Sequence, residues 1–205
     1  MSKPGVLLLA AGKARRFGAD KRLVPAYKHL SLLEVSLALY KNAGLDIRVC
    51  LSVADVDSPI FERLEDLQVE SLVCERSELG MGFTIADAVQ RFHPAGGVLI
   101  GLGDMPMIKR QTLDAVLSRA ESSRIVFPSH QGRRGHPVYF SGDFYPQLRT
   151  LSGDRGAALL FERFASRCVA VPVDDPGVLL DVDTRDQWRA ALPMIYERFN
   201  PGLSN

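Results

Sequence analysis

Cysteine is scarce and scattered in this chain. Cys50, Cys74 and Cys168 are far apart, with no CxxC or Cys/His spacing, so the pattern suggests neither a disulfide framework nor a zinc site. Reduced, partly buried thiols are the expectation. An excess of charge of one sign is also missing. The formal net charge is +1, which removes any global bias toward nucleic acid or membrane and requires that recognition of phosphate be local. No apolar run approaches membrane-spanning length. The run Val6–Ala11 is too short for the apolar region of a signal peptide, and no cleavage pattern follows it. The expected compartment is therefore the cytoplasm. Internal repeats, low-complexity tracts and linkers are absent as well.

What the chain does have is length and rhythm. Its 205 residues are 46% hydrophobic and 24% charged, ordinary values for a globular protein with a substantial core, and the length prior is one domain spanning 1–205. Gly5–Ala10 is apolar throughout, as expected for a strand buried on both faces. Helix-like and strand-like segments then alternate: a helix over Ser31–Ala43, a strand over Asp46–Val53, a helix over Pro59–Leu67, a strand over Val69–Cys74, a helix over Gly82–Phe92, a strand over Gly97–Leu102, a helix over Lys109–Ala120 and a strand over Arg124–Pro128. This rhythm predicts an α/β fold: a mostly parallel sheet in three α/β/α layers. Past residue 128 it breaks. His136–Phe140 reads as a strand that is antiparallel or at an edge, and Ala157–Phe164 as a helix. Cys168–Val173 and Val178–Val182 read as short strands, and Arg185–Phe199 as a helix that Pro193 is expected to split. Residues 129–205 are expected to lie on the same sheet as 1–128.

In an open α/β sheet, ligands bind beyond the carboxyl ends of the strands. Two segments at such ends carry unusual chemistry. The first reads LLLAAGKARRFGADK, Leu7–Lys21. Ala10-Ala11-Gly12 lets a ligand approach the backbone closely, and Arg15, Arg16 and Lys21 supply cations suited to polyphosphate. Neither GxxxxGK[ST] nor GxGxxG fits, because five residues separate Gly12 from Gly18 and Arg22 follows Lys21. A solvated, charged turn is the other reading. The second segment is LIGLGDMPM, Leu99–Met107, where Asp104 stands at a strand tip and suits Mg²⁺ held jointly with substrate phosphates. Asp104 alone would serve equally well as a turn residue before Pro106.

Weaker segments follow. In LLDVDT, Leu179–Thr184, Asp181 and Asp183 would share one face of a strand, and Asp183 could complete a metal site opposite Asp104. The same cluster could simply cap the next helix through Thr184. GRRGHP, Gly132–Pro137, offers Arg133, Arg134 and His136 to a second anionic substrate or to solvent. In Gly153-Asp154-Arg155-Gly156, Asp154 reads as a helix N-cap.

The stretch LAAGKARRFGADK resembles the LAAGxSxRMGxxK signature of MobA-like nucleotidyltransferases, and is most similar to the molybdenum cofactor cytidylyltransferase branch. Other short motifs keep the same order: Gly80 before a helix, GDMP at Gly103–Pro106, GHP at Gly135–Pro137, GDRGA at Gly153–Ala157 and DVDT at Asp181–Thr184. The resemblance implies a Rossmann-like fold of the nucleotide-diphospho-sugar transferase type, with a nucleotide-binding half at 1–128 and an acceptor-binding half at 129–205. It also implies Mg²⁺-dependent transfer of CMP from CTP to molybdenum-bearing molybdopterin, with pyrophosphate released. A recipient molybdoenzyme is a possible partner, nucleic acid and membrane are not expected partners, and a monomer is expected.

Carried over by position, the resemblance assigns Arg16, Lys21 and Asp104 to catalysis, with Arg16 and Lys21 on the triphosphate. Leu9, Ala10, Ala11, Gly12, Gly80 and Thr84 fall to the nucleotide. His136, Pro137 and Arg155 fall to the acceptor, and Asp104 with Asp183 to the metal. The guanylyltransferase branch shows LAGG where this chain has Leu9-Ala10-Ala11-Gly12, and the methyl of Ala11 is the ground for CTP rather than GTP. Ala14 stands where the signature has Ser, Phe17 where it has Met, and Cys74-Glu75 where Asn-Pro often follows the third strand. Other readings are guanylyl transfer to molybdopterin, transfer to another phosphorylated small molecule such as a sugar or alditol phosphate, and a non-catalytic protein that delivers the cofactor.

Overall fold

A computed structural model of the chain describes residues 2–12 and 16–200. Arg15 and Ala14 of the first motif lie outside the described residues. The first strand, β1, is Gly5–Leu9, and every residue in it is buried. Strand alternation explains the unbroken apolar run. Val6 and Leu8 enter one core, under the helices that cover one face of the sheet, while Leu7 and Leu9 enter the core on the other face. A buried parallel strand must be apolar on both sides, and this one is.

A short hairpin follows, β2 at Pro25–Tyr27 and β3 at Leu30–Ser31. Ser31 then starts helix α1, Leu32–Lys41, with a capping box in which its hydroxyl accepts from the Glu34 N–H and Glu34 accepts from the Ser31 N–H. The expected alternation continues through β4 at Ile47–Ser52, α2 at Pro59–Asp66, β5 at Glu70–Cys74, α3 at Met81–Arg91, β6 at Val98–Leu102, α4 at Arg110–Leu117 and β7 at Ile125–His130. The remaining elements are β8 at Arg133–Arg134, β9 at Val138–Phe140, α5 at Tyr145–Arg149, α6 at Ala158–Arg163, β10 at Cys168–Pro172 and α7 at Arg185–Phe199. The main sheet has the order β10-β7-β9-β6-β1-β4-β5, with β8 paired to β7. β1 is parallel to β4 and β6, β5 to β4, and β10 to β7. The sheet is thus mostly parallel, as the alternation predicts. The exceptions are β9, antiparallel to both β6 and β7, and the short β8, antiparallel to β7; β9 is an interior strand, not an edge.

Three expectations are corrected. Val178–Val182 is not a strand: Pro176–Leu179 forms a 3₁₀ turn, capped by Asp175 accepting from the Gly177 N–H. Its backbone groups are spent singly, Val178 O accepting from His136 N–H and Val182 N–H donating to Asp104 O, so no ladder forms. Helix α7 is unbroken through Pro193. Pro193 and Arg189, whose carbonyl loses its usual donor, are both exposed, so water can satisfy that group. Asp154 is not an N-cap, because α6 begins after Ala157, beyond a turn in which Gly153 and Gly156 have φ of 67° and 53°.

Candidate active site

Three of the ordered motifs converge at the carboxyl ends of β1 and β6. The Gly103 N–H donates to Leu9 O at 2.9 Å, which pins the end of β6 to the end of β1. The Val182 N–H donates to Asp104 O at 2.9 Å, which lays the Asp181–Thr184 segment across the tip of β6. Thr184 then caps α7, accepting from the Gln187 N–H. A single bond between loops, rather than a strand register, brings Asp183 beside Asp104.

Lys21 joins the two. Its Nζ donates to Asp104 Oδ2 at 2.8 Å and to Asp183 Oδ1 at 2.6 Å. Its side chain is 9% exposed, against 26% for Asp104 and 37% for Asp183. Burial acts to lower the Lys21 pKa, but the Asp104 and Asp183 carboxylates outweigh it and the pKa is raised. Lys21 is therefore a fixed cation at neutral pH. Arg16 stands outside, largely exposed, with Nη1 at 3.8 Å from Asp183 Oδ2.

These groups open onto a cleft of about 330 Å³ lined by Leu9–Gly12, Lys21, Thr84, Asp104 and Asp183 among others. The backbone of Leu9–Gly12 is only partly available to a ligand. Leu9 O is taken by Gly103, and the Ala10 N–H donates to Cys50 O at 2.9 Å. Ala10 O accepts from Arg22 Nη1 at 2.8 Å. Among the described residues, Ala11 and Gly12 alone of the four keep both their backbone groups free.

Other assigned residues fall around the cleft rather than in it. Gly80 has φ 123° and starts α3; a Cβ there would stand 2.5 Å from Gly153 O. The Gly82 N–H donates to that same carbonyl at 2.8 Å. The Gly80 and GDRGA motifs therefore pack on each other, and this contact aims α3, with Thr84 in its first turn, at the cleft. His136 is half-buried, Nδ1 at 3.5 Å from Ile100 O, and burial lowers its pKa despite the nearby Asp104 charge. Pro137 is buried after a cis peptide bond. Arg155 pairs with Glu162 at 3.0 Å on the surface. None of these three lines the cleft.

One group was not anticipated. Arg22 binds Asp20 through Nε at 2.8 Å and Nη2 at 2.7 Å, and Asp55 through Nη2 at 2.6 Å. Asp55 also accepts from the Ser52 N–H and O–H, both at 2.8 Å. A Ser-x-x-Asp capping pattern at Ser52–Asp55 was the available signal; the pairing with Arg22 had none. Met81 and Ser77 also line the cleft.

Two carboxylates that hold one cationic atom between them form a donor set that suits a hard divalent cation, which commonly takes one or two carboxylates together with substrate phosphates. Among the described residues, no group of three or more His, Cys, Asp or Glu side chains could hold a metal, so phosphate oxygens would supply much of the shell. No helix among them is long and apolar enough to cross a membrane.

The profile of the MobA-like NTP transferase domain matches residues 6–171, and the chain belongs to that family. It is 29% identical over 195 residues to the purine catabolism protein PucB of Bacillus subtilis (strain 168), an alignment covering 89% of this chain and 92% of PucB. Among solved structures it is similar to Rv0371c of Mycobacterium tuberculosis H37Rv, at 29% identity and TM-score 0.75, over 94% of this chain and 99% of that one. A complex of Rv0371c with manganese is similar at 27% identity and TM-score 0.73, with the same coverage. The nucleotidyl transferase Mth528 of Methanothermobacter shares the fold, at TM-score 0.82 and 16% identity over 96% of this chain and 99% of that one. The chain is thus a nucleotidyltransferase-family protein with the nucleotide-diphospho-sugar transferase fold.

Proposed function

We propose that the chain transfers CMP from CTP to molybdenum-bearing molybdopterin and releases pyrophosphate. The observation that carries nucleotidyl transfer is the buried Lys21 between Asp104 and Asp183, set beside the free backbone groups of Ala11 and Gly12. The choice of CTP rests on the Ala11 methyl at the cleft wall.

The chemistry needs no protein nucleophile. A phosphate oxygen of the acceptor attacks the α-phosphorus in line; a P–O bond forms to the acceptor as the bond to pyrophosphate breaks, and pyrophosphate carries away the electron pair. The chain's contribution is positioning and charge. Ala11 and Gly12 hold the base and ribose end, with Thr84 on the facing helix. Lys21 and Arg16 neutralise the triphosphate. Asp104, with Asp183, would hold Mg²⁺, which when bound screens the phosphates and draws charge from the leaving group. His136, Pro137 and Arg155 are proposed on the acceptor side, where a neutral His136 presents a hydrogen-bonding ring without added charge.

The test is pyrophosphate release with Mg²⁺, each nucleoside triphosphate in turn, and molybdenum-loaded molybdopterin. Release with CTP is expected. Release with GTP alone would replace the base assignment. Release with CTP only when a sugar or alditol phosphate is supplied would replace the acceptor. No release under any condition would favour a binding or delivery protein.

A further inference from the structure

The cleft shares a wall with a second hollow. That hollow, of about 310 Å³, lies between Ala19–Asp20 and Ser52–Asp55. Among the described residues, Ala11, Gly12 and Arg22 face both spaces. Ala11 contributes a methyl and Gly12 no side chain, so among the described residues the partition is the Arg22 side chain. It is 13% exposed and its partner Asp55 is 10% exposed. Four of its N–H groups are engaged: one by Ala10 O, two by Asp20 and one by Asp55. Swinging it aside would strand a buried carboxylate and free the Ala10 carbonyl, each a substantial cost. The wall is therefore rigid. Its donors are also nearly used up, which separates Arg22 from Lys21 and Arg16 as a phosphate ligand.

We infer that Arg22 determines base specificity: clamped by Asp20 and Asp55, it closes the hollow beyond Ala11, so that the base end of the cleft accepts one pyrimidine ring and refuses a fused purine. This rests on the CTP reading above. A purine placed against Ala11 needs room for its second ring, and the hollow behind Arg22 adjoins Ala11 and Gly12. Rejection by a held side chain is discrimination by exclusion.

The test is equilibrium binding of CTP and GTP, each with Mg²⁺, to the wild type, Arg22→Ala and the double variant Arg22→Ala/Asp55→Ser. The double variant relieves the unpaired carboxylate should the single variant be unstable. The wild type is expected to prefer CTP. In either variant the ratio of the two Kd values is expected to move at least tenfold toward GTP. A ratio unchanged, or both affinities lost in equal proportion, would overturn the inference and leave the CTP reading standing. A wild type that prefers GTP would overturn the CTP reading, and the inference with it.

Discussion

Replacing Lys21 by Met removes one cation and leaves two acids facing each other. Nζ lies 2.8 Å from Asp104 and 2.6 Å from Asp183, so the two oxygens are separated by at most the sum of those lengths. By bond length alone, the Asp183 contact would be the stronger. Burial argues the reverse. Asp104 is 26% exposed and Asp183 37%, and solvent screening weakens the more exposed pair. A hydrogen bond to a charged group in a sheltered site contributes about 1.5–3 kcal/mol, the range expected for Lys21–Asp104; an exposed ion pair contributes about 0.2–1 kcal/mol, which Lys21–Asp183 should approach. Double-mutant cycles of Lys21→Met with Asp104→Asn and with Asp183→Asn, read by urea unfolding, measure each coupling. The Asp104 coupling should be larger by about 1 kcal/mol or more. Equal couplings, or a larger one for Asp183, would refute the claim that burial ranks these contacts. Lys21→Met should also lose most turnover, and wild-type-like turnover would remove its catalytic role.

Asp104→Asn should lose most turnover while staying folded, and should weaken Mn²⁺ binding followed by electron paramagnetic resonance; unchanged Mn²⁺ affinity would place the metal elsewhere. Gly82→Ala puts a methyl 2.5 Å from Ser152 O, an overpacking cost of about 1–3 kcal/mol, to be read as a drop in Tm. For His136, burial lowers the folded-state pKa below its ordinary 6.5. As pH falls below that value the unfolded chain takes up a proton that the folded chain refuses, so stability declines, by at most about 1.4 kcal/mol per pH unit for one proton. Denaturant melts between pH 5 and 7 should show a shallower acid decline for His136→Gln than for the wild type.

The parallel half of the fold was legible because its physics is local. Buried strands such as Val98–Leu102 are apolar on both faces, and alternation with helices dictates a parallel sheet. The hairpin Pro25–Tyr27 and Leu30–Ser31 went unread because it is short and turns through Lys28 at φ 51°, a conformation that no glycine advertises. In the site, Lys21 and Asp104 were readable as chemistry at strand ends. Asp183 was reached for a reason that proved wrong: it shares no strand face with Asp181, but is held by the Val182 N–H on Asp104 O. Arg22 and Asp55 lie 33 residues apart, and no periodicity links them; only the folded chain brings that pair together.

The central claim is transfer of a nucleoside monophosphate through the α-phosphorus. The most direct measurement is a single turnover with CTP labelled at the α-phosphate, Mg²⁺ and molybdenum-loaded molybdopterin, with product phosphorus traced. The label should appear in the acceptor product, pyrophosphate should be unlabelled, and Asp104→Asn should abolish both. Label remaining in CTP, or appearing only in free CMP, would contradict the account.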